Sequence, residues 1–133
     1  MPIELKILTW GCVLALGHIF AAVRVKTRQY GAKWNMGARD ETLPPPQPLV
    51  GRLARAQANY FETFPIVAAA ILIDVTAGIT SQWTAVGAML WLGARIVYLP
   101  LYALGTPVVR TMAFGVSMVG IVMLLWPALA VAL

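Results

Sequence analysis

Four long apolar segments occupy most of this chain and constrain its fold more than any other feature. They cover about residues 5–24, 54–79, 83–104 and 108–131. A helix rises about 1.5 Å per residue, so each segment is long enough to cross a hydrocarbon core of roughly 30 Å. Charged residues make up only 11% of the chain, which excludes an ordinary soluble domain. The sequence therefore predicts one all-α integral membrane domain over residues 1–133, a bundle of four transmembrane helices.

Basic residues are concentrated between the first two segments, in a loop at about residues 25–53. The connection at residues 78–82 carries no charge. The positive-inside rule therefore predicts a cytoplasmic loop, with both termini on the other side of a membrane that we expect to be a bacterial inner membrane. Positive charges follow the first segment rather than precede it, which favours a retained span over a cleaved signal peptide. The net charge of +5 is interpreted as this topology signal, since no recognition motif for nucleic acid accompanies it.

The second segment contains polar side chains at helical spacing. Arg52, Arg55, Asn59 and Glu62 follow positions i, i+3, i+7 and i+10, so a helix places them on one stripe. Polar groups inside a membrane are expensive and are usually paired or functional. Asp74 lies farther along the same segment and is predicted to be interfacial rather than part of a site.

A second polar stripe lies in the third segment, where Arg95, Tyr98 and Tyr102 follow positions i, i+3 and i+7. An unpaired arginine at this depth costs about 2.5–3.5 kcal/mol on insertion scales. Folding the two segments back on each other near residue 81 brings both stripes to a similar depth, so Glu62 is predicted to pair with Arg95 or Tyr98. Four arginines outnumber Glu62 and favour an anionic ligand that carries carboxylates or a thiolate: Arg52, Arg55, Arg95 and Arg110.

Other interpretations of these polar groups remain open. A buried network could serve only to fix the register of the helices. A small multidrug transporter would exchange protons at a carboxylate in the first span, but Glu4 lies at the edge of that span and the arginines would repel cationic drugs. Cys12 has no second cysteine for a disulfide, and His18 is expected to form a hydrogen bond between helices rather than bind a metal.

Two segments carry a resemblance to a known family. Arg-Ala-Gln-Ala-Asn-Tyr-Phe-Glu-Thr-Phe-Pro at 55–65 and Ala-Arg-Ile-Val-Tyr-Leu-Pro-Leu-Tyr at 94–102 resemble the MAPEG family, the membrane-associated proteins in eicosanoid and glutathione metabolism. The basic loop resembles that of bacterial members. The resemblance implies a homotrimer that binds glutathione as co-substrate between neighbouring protomers, near the cytoplasmic side. It also implies a lipophilic second substrate dissolved in the bilayer and no metal.

The resemblance also implies roles for individual residues. The expected activity is that of a glutathione transferase or peroxidase, and the alternative is a non-catalytic membrane protein of the same fold. Thr63 departs from the eicosanoid-forming members, which have a tyrosine there, and the spacing from Tyr102 to Arg110 also differs from theirs. Arg110 is the implied catalytic residue, which stabilises the glutathione thiolate. The implied glutathione-binding residues are Arg55, Gln57, Asn59, Glu62, Arg95, Tyr98 and Tyr102.

Overall fold

The structure is a computed structural model that describes residues 1–133 and contains only helices. Four of its five helices are long and apolar enough to cross a membrane. This confirms the prediction of an all-α protein with four apolar helices, as expected for an integral multi-pass membrane protein. The helices are α1 (Ile3–Tyr30), α2 (Ala32–Met36), α3 (Pro48–Thr76), α4 (Gln82–Ala103) and α5 (Pro107–Ala132).

The basic loop contains less irregular chain than the sequence predicts. Helix α1 continues to Tyr30, and α3 begins at Pro48, where a proline is tolerated because the first helical N–H has no partner within the helix. The proline-rich segment before Pro48 is extended and fastened to α1. Gln29 donates from Nε2 to the carbonyl oxygen of Pro45 at 3.0 Å, and its Oε1 accepts from the N–H of Gln47 at 2.8 Å. These bonds hold the loop against the end of α1.

Helices α4 and α5 are in close contact because two glycines face each other at their crossing. A Cβ added to Gly120 would lie 2.6 Å from the carbonyl oxygen of Gly87 and 2.8 Å from the backbone nitrogen of Trp91. Small residues allow such close approach between membrane helices. Helix α3 contacts α1, α4 and α5, whereas α1 contacts α3 and α4 but not α5. The bundle therefore places the α3 and α4 polar stripes side by side.

Aromatic rings fill the centre of the bundle. Tyr60 and Trp91 are fully buried, and Phe64 stacks on both, with ring centroids 5.2 Å from Tyr60 and 5.9 Å from Trp91. The Tyr60 hydroxyl donates to the carbonyl oxygen of Gly11 at 2.5 Å, which satisfies its polar end inside the core. This core separates the polar groups at one end of the bundle from those at the other.

Two buried polar residues differ from their predicted environments. His18 is 1% exposed, and neither ring nitrogen has a hydrogen-bond partner, so the predicted hydrogen bond between helices is wrong. Its ring lies on that of Tyr60 instead, at 4.7 Å between centroids. Asp74, predicted to lie at the membrane interface, is near the end of α3, but its side chain is fully enclosed by the protein. Sequence depth alone did not reveal which way these side chains face.

Candidate functional site

The two polar stripes meet between α3 and α4 through Arg95. Its Nη1 donates to the Oδ1 of Asn59 at 2.8 Å, and the guanidinium carbon lies 4.5 Å from the Tyr98 ring centroid and 5.3 Å from that of Tyr60. Arg95 is 0% exposed. An arginine at this depth is thus held by one amide oxygen and two aromatic faces, which attract cations through their quadrupoles.

The expected pairing of Glu62 with Arg95 or Tyr98 is not the interaction that forms, since no hydrogen bond joins Glu62 to either residue. Arg95 uses Asn59 as its hydrogen-bond acceptor, and the Glu62 side chain is exposed on the outside of the protomer. The Nε and Nη2 atoms of Arg95 have no partner. Because no carboxylate neutralises it within the protomer, this guanidinium contributes positive charge to its surroundings.

Tyr102 is the contact point of two further arginines. The Nε of Arg55 donates to the Tyr102 hydroxyl at 3.1 Å, and the guanidinium carbon of Arg110 lies 4.6 Å from the centroid of the same ring. Tyr98 meets Tyr102 edge to face, with centroids 5.5 Å apart. Helices α3, α4 and α5 thus each supply one part of a single cluster. Its side chains are preorganised by contacts with one another.

A cavity of about 200 Å³ opens beside this cluster. No carboxylate lines it, whereas Arg110 lies in its wall and Arg55 and Arg95 contact its tyrosines. A cleft with charge of one sign and low-dielectric walls concentrates ligands of the opposite sign. The cavity therefore suits an anion. Its lining residues are Asn59, Tyr98, Tyr102, Arg110, Thr111 and Phe114.

Two of the predicted ligand-binding residues do not line this cavity. Gln57 lines a separate cavity of about 130 Å³ between α1, α2 and α3, together with Lys26 and Arg39. Glu62 is exposed and lines neither cavity. Within a single protomer the structure therefore places Gln57 at a different cavity. It brings together Asn59, Arg55, Arg95, Tyr98, Tyr102 and Arg110.

Two residues that line the cavity were not predicted from the sequence. One arginine that was predicted to be available to a ligand forms a different contact. Thr111 and Phe114 line the cavity. Phe114 lies four residues after Arg110 on the helix, a spacing that could have indicated its position, whereas Thr111 directly follows Arg110 and carries no such signal. Arg52 was counted among the cations available to a ligand, but its Nη1 lies 3.3 Å from the carbonyl oxygen of Ala103. This arginine therefore stabilises the negative end of α4.

Comparison with known proteins identifies the family. The family model described as the MAPEG family matches residues 7–130 of the 133-residue chain. No curated protein matches the chain. The matched residues include both polar stripes and the arginine at the start of α5.

Proposed function

The chain belongs to the MAPEG family, and on that premise we propose that it is a membrane-bound glutathione-binding enzyme. Its reaction is that of a glutathione transferase or peroxidase acting on lipophilic electrophiles. The observation that carries the proposal is the cavity beside Tyr102, whose side chain contacts both Arg55 and Arg110 and whose lining contains no carboxylate. Glutathione offers two carboxylates and an ionisable thiol, which match this excess of positive charge.

Arg110 is the residue that we assign to activation of the thiol. A free thiol has a pKa near about 8.5, so only a small fraction is ionised at neutral pH. A guanidinium close to the sulfur favours the thiolate, which is the nucleophilic form. Arg110 lies in the cavity wall at the first turn of α5, with its guanidinium held over Tyr102. The thiol proton leaves to solvent. In a transfer reaction the thiolate then attacks an electrophilic carbon of a lipid-dissolved substrate, and a carbon–sulfur bond forms as the leaving group departs with its bonding electron pair.

Assembly into a homotrimer is part of the proposal, since one protomer supplies only part of the expected binding site. The cavity of about 200 Å³ is smaller than the roughly 300–1,000 Å³ of most small-molecule pockets. Gln57 faces a second basic cavity, and Glu62 lies exposed on the outside of α3. A neighbouring protomer at that face would bring such groups to the ligand. Glutathione would then lie between protomers at the cytoplasmic side, where the basic loop supports an orientation with both termini outside the cytoplasm of a bacterial cell.

The proposal is tested by the thermal stability of the detergent-purified protein with and without millimolar glutathione. A ligand present at about 100 times its dissociation constant adds roughly 2.7 kcal/mol to the free energy of unfolding. We expect Arg55→Ala and Glu62→Ala to reduce this stabilisation. Arg28→Ala serves as the control, because Arg28 is an exposed arginine in the last turn of α1.

A second measurement follows the thiolate of bound glutathione by its ultraviolet absorbance. We expect Arg110→Ala to retain glutathione-dependent stabilisation but to lose most of the thiolate signal. An unchanged signal would remove Arg110 from the mechanism. A wild-type protein that shows neither stabilisation nor thiolate would instead be a non-catalytic membrane component, and the polar cluster would only fix the packing of the helices.

A further inference from the structure

The cavity of about 130 Å³ between α1, α2 and α3 has a positive charge that the proposed thiol chemistry does not use. Two cations lie in its wall, Lys26 in the last part of α1 and Arg39 in the segment after α2. No carboxylate lines this cavity. Of its lining residues, only Gln57 is also assigned to glutathione. The charge at the α1 and α2 side of the cavity therefore calls for a ligand of its own.

The ring of Trp34 holds both cations at the cavity. The Nζ of Lys26 lies 5.6 Å from a ring centroid of Trp34, and the guanidinium carbon of Arg39 lies 4.8 Å from it. The Nη2 of Arg39 donates to the backbone oxygen of Asn35 at 3.0 Å and to its Oδ1 at 2.6 Å, and no hydrogen bond joins Arg39 to the two carboxylates that follow it in the chain. Both cations are exposed, so a ligand can reach them from the surface.

Two features of this cluster indicate a ligand that accepts hydrogen bonds. Arg39 has a φ of 64° and is the only residue other than glycine with a positive φ. Such strain persists where the surrounding structure fixes the residue, and it is common at ligand clamps. The indole nitrogen of Trp34 is buried and has no hydrogen-bond partner, whereas buried polar groups nearly always have one. An oxyanion supplies both the missing acceptor and the charge that the cations attract.

The size and location of the cavity favour the phosphate of a lipid headgroup. Most small-molecule pockets measure roughly 300–1,000 Å³, so a cavity of about 130 Å³ suits one anionic group rather than a whole metabolite. Tyr30 and Trp34 lie beside it with ring centroids 5.1 Å apart, and these residue types are enriched at membrane–water interfaces. Basic pockets between membrane helices on the cytoplasmic side bind anionic headgroups.

An apolar stripe on α1 leads from the bilayer to the cavity. Val13, Leu16, Phe20 and Val23 follow positions i, i+3, i+7 and i+10, and all four are exposed in the protomer. Val23 also lines the cavity. A lipid whose phosphate lies in the cavity can therefore lay an acyl chain along this face of α1.

We propose that this cavity binds the phosphate group of an anionic phospholipid, held by Lys26, Arg39 and the indole N–H of Trp34. Inorganic phosphate shares the same chemistry, but the apolar stripe on α1 favours the lipid. The bound headgroup fastens the segment after α2 to the end of α1. This inference goes beyond the proposed function and does not depend on it, because no glutathione contact is assigned to α1 or α2.

Native mass spectrometry of the delipidated full-length protein in detergent tests this site, with phosphatidylglycerol or phosphatidylcholine as the added lipid. We expect one phosphatidylglycerol per chain, bound at least about tenfold more tightly than phosphatidylcholine, because the cavity repels the choline cation. Lys26→Gln and Arg39→Gln should each weaken binding of phosphatidylglycerol about fivefold. Trp34→Phe keeps an aromatic ring but removes the N–H, and should also weaken it.

Lys33→Gln is the matched control, since Lys33 is an exposed cation of α2 that does not line the cavity. It should change the affinity for phosphatidylglycerol by less than about twofold, because only general attraction to the anionic lipid is lost. An equal loss in Lys33→Gln and Lys26→Gln would overturn the inference, since the basic end would then attract lipids without a defined site. Equal affinity of the wild-type protein for the two lipids would overturn it as well.

Two further measurements separate the lipid from other ligands. Release of the bound lipid by millimolar inorganic phosphate would assign the cavity to a soluble phosphate and overturn the lipid. Glutathione-dependent stabilisation is measured on the same samples, and we expect Lys26→Gln and Arg39→Gln to retain it. Its loss in these variants, with lipid binding unchanged, would place the cavity in the thiol pocket and overturn the inference. Lipid binding as expected, in a wild-type protein that glutathione does not stabilise, would support this site and refute only the proposed function.

Discussion

The hydrogen bond between Asn59 and Arg95 gives the most direct quantitative test of how the two polar stripes are joined. Substitution Asn59→Leu keeps a side chain of similar size but removes the only hydrogen-bond acceptor that the structure gives Arg95, at 2.8 Å. Hydrogen bonds to charged groups contribute about 1.5–3 kcal/mol. Because Arg95 is 0% exposed, solvent does not replace the lost partner. We therefore expect Asn59→Leu to lower the free energy of unfolding by roughly 2 kcal/mol.

A double-mutant cycle separates this interaction from other effects of the substitution. Arg95→Met removes the buried charge, and an apolar replacement of a buried polar pair is often close to neutral. The double variant should therefore be more stable than the sum of the two single changes predicts, by about 1.5–3 kcal/mol. The measurement is reversible unfolding of the detergent-solubilised protein, followed by far-ultraviolet circular dichroism across a denaturant titration.

A control cycle pairs Arg95→Met with Asn35→Leu. Asn35 lies in α2, and its Oδ1 accepts a hydrogen bond from Arg39 rather than from Arg95. These two changes share no partner and should be additive within about 0.5 kcal/mol. Equally additive behaviour of Asn59→Leu and Arg95→Met would refute the reasoning, because it would mean that the bond does not join α3 to α4 in the membrane protein.

Two further predictions concern packing. Gly120→Ala places a Cβ 2.6 Å from the carbonyl oxygen of Gly87 and should lower the free energy of unfolding by about 1–3 kcal/mol. In the control Gly115→Ala, the added Cβ has no atom within 4 Å, so this change should be neutral or slightly stabilising in the same unfolding assay. Tyr60→Phe removes the donor to the Gly11 carbonyl while keeping the ring, and should cost about 0.5–1.5 kcal/mol. If Gly120→Ala leaves the unfolding midpoint unchanged, α4 and α5 lie farther apart than in this structure. If Tyr60→Phe leaves the midpoint unchanged, water replaces the lost hydrogen bond to Gly11.

The sequence predicted the helical architecture well because the relevant signals are local. A span is a property of length and hydropathy, and a stripe is a property of spacing at 3.6 residues per turn. Four apolar helices were expected and are present, and the two polar stripes do lie side by side. The start of α3 was less well predicted, since the second apolar segment was expected from about residue 54 but the helix begins at Pro48. Helix ends depend on local capping, which hydropathy does not describe.

Sequence spacing did not determine the partners of the polar groups. Glu62 and Asn59 lie on the same stripe at similar depth, and electrostatics alone favoured the carboxylate as the partner of Arg95. The structure selects Asn59, leaves Glu62 exposed and turns Gln57 toward a different cavity. A change of a few tens of degrees in the rotation of α3 about its axis would alter each of these outcomes without changing the sequence pattern.

The sequence by itself determined that this chain is a membrane protein with four apolar helices, a basic loop and two polar stripes. The tertiary structure decided which groups meet, because contacts between helices set their rotation and distance. The crossing at Gly87 and Gly120 fixes α5 against α4, which brings Arg110 over Tyr102. Convergence of helix ends likewise brings Thr84 to Glu4, although the two residues are 80 positions apart in the chain. Such contacts between distant parts of the chain leave no periodic signal in the sequence.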